Sequence, residues 1–251
     1  MHITLTGNLG SGKSTICKIL ESEYSYEIYS TGTVQRKLAE ELGISVLEMN
    51  QLMCKDRKYD TMIDEKTIKI SKENKDKAIV FDSRLAWNFV NPSFKVFLSV
   101  SLAVAAERVY GDNRGNVEKY TSVEDAKNQL KLRAETEKVR YKDIYNLDYF
   151  NFTNYNLVLD STYCTPDLLA SIIVKEAASS ENTKTNGTKI LMSPKRLGID
   201  IPMKEFNKET YYLDGEVVVT LEDNEYKVIK GMEIVEEAAN KGIPFVNVSI
   251  N

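Results

Sequence analysis

Gly7, Gly12, Lys13 and Ser14 stand at the spacing G-x-x-x-x-G-K-S, with Gly10 and Ser11 inside the run GNLGSGKS. Closely spaced glycines let successive backbone N–H groups turn inward on one anion. A helix that begins where they end adds about half a positive charge. The lysine ammonium reaches the outer phosphates of a polyphosphate, and the serine hydroxyl is a hard oxygen donor suited to Mg²⁺. The flanks fit this chemistry. His2 to Thr6 alternate β-branched and apolar residues as a short strand does, and Ile16, Ile19 and Leu20 follow at helical spacing. The residues predict a site for ATP or GTP built from Gly7, Gly10, Ser11, Gly12, Lys13, Ser14 and Thr15.

A second anion site is expected facing the first. Ser30-Thr31-Gly32-Thr33-Val34-Gln35-Arg36 gives a hydroxyl-rich turn with an arginine one helical turn in. Asp82-Ser83-Arg84 closes an apolar strand, at the end of a parallel strand where open α/β sheets bind ligands. If these two strands are neighbours, Arg36 and Arg84 can meet on one small acceptor. Two planar guanidinium forks suit the oxygens of a phosphate. Each arginine also has a plainer reading, as a solvated helix residue or as a strand-end ion pair. Asp82 either holds Mg²⁺ through water or caps the next helix.

Arg108 ends an amphipathic helical pattern, and the polar, glycine-containing stretch 110–120 reads as a loop. In the charged segment that follows, Arg133 and Arg140 are seven residues apart and so share one helix face. Such a pair can close over a transferring phosphoryl group, although charged helices are also simply solvated. Phosphoryl transfer needs positioning and cationic stabilisation more than covalent help. A phosphate oxygen acceptor is already anionic and requires no general base.

These groups need a frame to hold them. Strand patterns at Tyr26 to Ser30, Ala78 to Phe81, Phe94 to Val100 and Leu157 to Leu159 alternate with helical ones. The helices fall at 34–47, broken at Gly43, and at 58–74, with Met62, Ile63 and Ile70 facing inward. Others fall at 102–109, at 123–145, and from Pro166, N-capped by Thr165, to about Ala178. Such alternation implies an α/β fold with a parallel sheet covered on both faces. Residues 179–189 have a linker composition. Beyond them, strands at Tyr211 to Leu213, Glu216 to Leu221 and Tyr226 to Ile229, with turns at Asp214-Gly215 and Asp223-Asn224, read as a small α+β module. A helix at Met232 to Asn240 and a strand at Phe245 to Ile250 complete it.

The chain has 251 residues and a formal charge of -4, which argues against a broad nucleic-acid footprint. His2 is its one histidine, so histidine catalysis and histidine metal sites are excluded. Cys17, Cys54 and Cys164 are far apart and fit neither a zinc site nor a disulfide framework. No apolar run reaches a membrane span, and the first residues lack the pattern of a signal peptide. A cytoplasmic protein is the expectation.

On STGTVQR at 30–36, FDSRLAW at 81–87, AAERV at 105–109, RAETEKVRYKDIY at 133–145 and NLVLDST at 156–162, the chain resembles the cytidylate kinase-like nucleoside monophosphate kinases. It resembles adenylate kinase more distantly. The resemblance spans residues 1–178. It implies a five-stranded sheet in the order 2-3-1-4-5, an acceptor region at 31–75 and a mobile lid at 110–140. It also implies ATP as donor, Mg²⁺, and CMP or dCMP as acceptor. Arg36 and Arg84 would hold the acceptor phosphate, with Thr31 and Gly32 bordering its nucleoside. Arg108 would lie by the ATP base and phosphates, and Arg133 and Arg140 would clamp the phosphoryl group. Thr33 stands where relatives often carry an acid, and Ser83 where glycine is more familiar; both departures touch the acceptor side. Trp87 could wall the acceptor site, but an aromatic just after a buried strand reads more readily as core.

The module at 190–251 weakly resembles the ParB/sulfiredoxin-like fold, but Gly231 is followed by Met232-Glu233-Ile234-Val235 and not by the arginines of a phosphate site. It reads as a regulatory, docking or dimerising unit. Two other functions stay open on the residues: a kinase of a small hydroxyl metabolite using Asp82 or Asp64 as base, and a nucleotide sensor reporting through this module.

Overall fold

Ile3, Leu5, Val80, Phe81, Val96, Phe97, Leu98, Leu157 and Leu159 are almost wholly excluded from water. Near-continuous apolar runs of this kind belong to parallel strands buried on both faces. The computed structural model describes residues 1–44, 46–112, 120–182, 187–199, 210–222 and 225–251. Most of the expected loop at 110–120, part of the expected linker and the Asp223-Asn224 turn lie outside the described residues, as does the Cys54 side chain.

The first half runs β1 (Ile3–Gly7), α1 (Lys13–Tyr24), β2 (Glu27–Ser30), α2 (Thr31–Glu41), α3 (Val46–Lys55), α4 (Lys58–Glu73), β3 (Ile79–Asp82), α5 (Ala86–Phe89) and β4 (Phe94–Ser99). Then come α6 (Leu102–Gly111), α7 (Val123–Tyr145), β5 (Leu157–Asp160), α8 (Pro166–Asn182) and β6 (Lys189–Met192). The chain closes with β7 (Tyr212–Glu222), β8 (Glu225–Lys230), α9 (Met232–Asn240) and β9 (Phe245–Ile250). Single 3₁₀ turns form at Phe152–Asn154 and Pro194–Leu197.

Strand periodicity sorts the side chains onto the two faces of the sheet. Val96, Leu98, Leu157 and Leu159 pack against Ile16, Cys17 and Leu20 of α1 and Leu169, Ile172 and Ile173 of α8. Phe97 and Val158 point the other way, into a second cluster with Trp87, Tyr149, Tyr155 and Ile190. Trp87 is core as expected: it is 5 % exposed, and its indole N–H donates to the Arg84 carbonyl at 3.1 Å.

The strand order is β2-β3-β1-β4-β5-β6-β9-β7-β8. The expected order 2-3-1-4-5 forms its first part, but the sheet has nine strands, not five. β6 pairs parallel with β5, β9 antiparallel with β6, β7 parallel with β9, and β8 antiparallel with β7. The strands expected in a separate module thus extend the same sheet. An apolar pattern identifies a strand but not its partner. Here β6 covers what would otherwise be an unpaired edge at β5, and Leu191 and Phe245 join the cluster beneath α1 and α8.

Three local readings also change. Helix α8 runs through the serine-rich stretch to Asn182. Ser179 and Ser180 return their hydroxyls to the carbonyls of Lys175 and Ala177, each at 2.9 Å, so these polar residues stay in the helix. Asp214-Gly215 is no turn; it lies inside β7, where the pairing with β9 shifts register between Leu213 and Val217. A Cβ on Gly215 would come within 2.5 Å of the Ile234 side chain, so α9 sits directly over it. Met62 is 43 % exposed, whereas Ile63 of the same helix is buried.

Candidate functional site

The glycine run turns between β1 and α1 as its sequence requires. Gly10 and Gly12 have φ of 75° and 84°, the left-handed region that disfavours side chains. Gly7 is fixed by close approach, since a Cβ there would lie 2.4 Å from the Leu98 carbonyl oxygen. Asn8 fastens the loop to the end of β4: its N–H donates to Leu98 at 2.9 Å, and its Oδ1 accepts from the Val100 N–H at 3.1 Å. Ser11 is 1 % exposed, and its hydroxyl has no hydrogen-bond partner among the described residues. Leaving such a group unsatisfied costs about 1–3 kcal/mol, so the loop holds an acceptor or donor in reserve. Ser14 and Thr15 face solvent on the first turn of α1.

Lys13 opens that helix half-buried. Burial, then the charge of Arg84, pulls its pKa from 10.5 down to about 7, with Asp82 and Glu137 acting in the opposite sense. Arg84 donates through Nη1 to the Gly7 carbonyl and through Nε to Glu137 at 3.0 Å. Burial disfavours its cation, but Glu137, with Tyr149, Tyr141 and Asp82 behind it, more than offsets this and holds the pKa above the ordinary arginine value. Asp82 ends β3, where it accepts from the Ser30 hydroxyl at 3.2 Å. Ser14 and Asp82 offer the hydroxyl and carboxylate oxygens that Mg²⁺ takes beside phosphate.

Strands β2 and β3 are neighbours, with Ser30 opposite Asp82. Thr31, Gly32 and Arg84 therefore lie at the same end of adjacent strands, and the Thr31 hydroxyl reaches the Asp82 carbonyl at 3.4 Å. The Arg36 guanidinium lies over Gly32, 3.6 Å from where a Cβ would stand, and donates to the Thr33 hydroxyl at 2.9 Å. It is held by its own turn, while Arg84 is held by Gly7 and the α7 carboxylate. The two arginines share a strand end without sharing a partner in these contacts.

Helix α7 is tied across the site. Glu137 accepts from both Arg84 and Arg133, the latter at 3.1 Å, and from the Tyr149 hydroxyl at 3.3 Å. Burial works against its charge, yet Arg84 and Arg133 keep its pKa below the usual carboxylate range. One turn on, Arg140 is ion-paired with Asp60 of α4, and Tyr145 donates to Asp64 at 2.5 Å. Burial raises the Asp64 pKa to about 6, with Tyr145 opposing and Asp60 adding to the rise. Arg133 and Arg140 do share a helix face, and each already has a carboxylate. Glu137 and Asp60 went unassigned in the sequence reading. Glu137 carries a local signal, lying four residues after Arg133, but nothing in the sequence links Asp60 to a residue eighty positions away.

Arg108 crosses to the other side of the glycine loop. It donates to the carbonyls of Ser161 at 2.7 Å, Thr162 at 3.2 Å and Gly10 at 3.4 Å. There it borders a cavity of about 460 Å³ lined also by Gly10, Thr15, Ser161, Cys164 and Leu169. The loop thus meets an arginine on each side: Arg84 at the Gly7 carbonyl, and Arg108 at the wall of this cavity.

The family model described as "Cytidylate kinase-like family" matches residues 2–163. A cytidylate kinase of Natronomonas pharaonis is 34% identical over 175 residues, 69% of this chain and 87% of that one. A cytidylate kinase of Methanobrevibacter smithii is 30% identical over 174 residues, 69% of this chain and 96% of that one. Among solved structures, an uncharacterized protein from Eubacterium ventriosum shares the fold, with a TM-score of 0.53 at 16% identity over 71% of this chain and 99% of its own. No described helix is long and apolar enough to cross a membrane. A glycine cradle with a lysine at its mouth, an arginine-bearing strand end beside it and these relatives lead to one placement: the chain belongs to the cytidylate kinase-like family of P-loop phosphotransferases.

Proposed function

We propose that this chain transfers the γ-phosphate of ATP to a nucleoside monophosphate, with CMP or dCMP as the acceptor. The observation that carries this reading is the meeting of the glycine loop with an arginine-bearing strand end. The cradle between Gly7 and Thr15 has an orphaned buried hydroxyl at Ser11, and Arg84 reaches that same loop from the end of the next strand. The relatives named cytidylate kinase support the choice of base.

In this reading the backbone N–H groups of residues 10–15 bind the β- and γ-phosphates, and Lys13, protonated once phosphate is beside it, bridges them. Ser14 directly, and Asp82 through water, would hold Mg²⁺, which neutralises phosphate charge. The cavity beside Arg108 takes the base and ribose of the donor. Arg84 and Arg36 hold the acceptor phosphate, with Thr31 and Gly32 against its nucleoside. Arg133 and Arg140 then exchange Glu137 and Asp60 for phosphoryl oxygens as the site closes, which excludes water that would otherwise hydrolyse ATP. An acceptor phosphate oxygen attacks the γ-phosphorus, the bond to the β-γ bridging oxygen breaks, and ADP leaves. The test is coupled ADP release across the common ribo- and deoxyribonucleoside monophosphates. Fastest turnover with CMP or dCMP is expected; turnover with none of the panel ends the reading.

A further inference from the structure

Asp160 ends β5 with no exposed surface, inside the stretch matched by the family model. A carboxylate that deep requires a partner, and its cation comes from outside that stretch. Arg196, on the 3₁₀ turn after β6, inserts its guanidinium with only 10% of the side chain exposed. Its Nη1 donates to Asp160 Oδ1 at 2.7 Å, to Ser99 Oγ at 2.8 Å and to Thr162 Oγ1 at 3.4 Å. Tyr226 of β8 covers it, with the ring centroid 5.1 Å from the guanidinium carbon.

The groups that Arg196 gathers also shape the cavity beside the glycine loop. Asp160 Oδ1 accepts from the Thr162 N–H at 3.1 Å and from the Thr162 hydroxyl. That hydroxyl accepts from the Ser101 N–H at 3.1 Å, at the start of the helix that carries Arg108. The carbonyls of Ser161 and Thr162 in turn hold Arg108. Ser161, Cys164 and Arg108 line the cavity.

We infer that Arg196 is a positioning residue for nucleotide binding: through Asp160 and Thr162 it sets the 161–164 turn and Arg108, and so the shape of the donor base pocket. The C-terminal third then serves the site from behind and supplies a buried cation to the phosphotransferase fold. This rests on the proposed placement of the donor base in the cavity. The cradle itself is held by Asn8, bonded to Leu98 and Val100, and among the described residues meets the Arg196 network only at the 3.4 Å contact between Arg108 and the Gly10 carbonyl.

Titration calorimetry of the full chain with Mg²⁺-ATP and with Mg²⁺-tripolyphosphate separates the two ends of the site. Arg196→Ala is expected to weaken ATP about tenfold, within what misplacement by ~1 Å produces, and to leave tripolyphosphate unchanged. Arg196→Lys keeps the charge beside Asp160 and is expected to fall between, because a flexible ammonium lacks the rigid planar group that aims Nη1 at all three oxygens. A general loss of structure would weaken both ligands alike. Equal loss of both ligands, or unchanged ATP binding, in the two variants overturns the inference. If Arg196→Ala does not fold, Arg196→Lys decides by the same comparison. Should the wild-type chain bind tripolyphosphate as tightly as ATP, the cavity is no base pocket and the inference falls. Should it bind neither, the proposed function itself fails.

Discussion

Lys13 gives a prediction that pH alone can test. In the free protein, burial and Arg84 bring its ammonium to a pKa of about 7. A bound polyphosphate places several negative charges against it and raises that pKa well above the working range. The bound state then holds a proton that the free state has lost above neutrality, so ATP binding takes up a proton. With a free-state pKa of about 7, about one half of the chains are charged at pH 7, about 9% at pH 8 and about 1% at pH 9. The apparent dissociation constant should rise about fivefold from pH 7 to 8 and about fiftyfold from pH 7 to 9, levelling below pH 6. Burial pushes Cys17 to about 12 and Cys164 further, so neither thiol titrates in this range. Calorimetry in two buffers of different ionisation enthalpy counts the protons directly: close to one at pH 8.5, close to none at pH 5.5. Lys13→Met should bind weakly with no slope. An affinity flat from pH 7 to 9, with no proton uptake, would refute the claim that Lys13 sits discharged in an empty cradle.

Four further outcomes are expected. Arg36→Ala should raise the acceptor KM at least tenfold while the ATP KM holds, since a charge-assisted hydrogen bond is worth about 1.5–3 kcal/mol; steady-state kinetics against each substrate decides. Glu137→Gln removes the carboxylate from Arg84 and Arg133 at once and should cost about 3 kcal/mol in a denaturant titration. Trp87→Ala empties a core position packed on Tyr155 and should cost about 3–5 kcal/mol by the same measurement. Asp64 has a folded pKa of about 6, above the usual carboxylate value. Its contribution to stability is full below about pH 4 and disappears as pH rises through about 6; Asp64→Asn should remove that part of the thermal-midpoint profile and raise the midpoint at pH 7.

The cradle was legible because its chemistry is local. Gly7 to Ser14 are contiguous, and the backbone turn they make is written in glycine positions, so strand, loop and helix start where the residues imply. Strands β1 to β5 and helices α6, α7 and α9 were equally visible, since a two- or 3.6-residue period needs no knowledge of the partner. Even the neighbourhood of Thr31 and Arg84 follows once β2 and β3 are adjacent.

What the sequence could not decide is who pairs with whom at long range. Helical spacing put Arg133 and Arg140 on one face with Glu137 a turn from Arg133, but Glu137 met Arg84 and Arg140 met Asp60 only when α7 crossed Arg84 and α4. A linker composition and a change of pattern after residue 178 suggested a separate unit. The backbone of β5 instead continued its ladder into β6, and the same sheet ran on to β8. Nothing in the sequence singles out Arg196, yet the fold buried it against Asp160, because a carboxylate sealed at a strand end draws in whatever cation the topology brings near. Local chemistry is a property of neighbouring residues in the chain; the partners of a buried charge are a property of the assembled sheet.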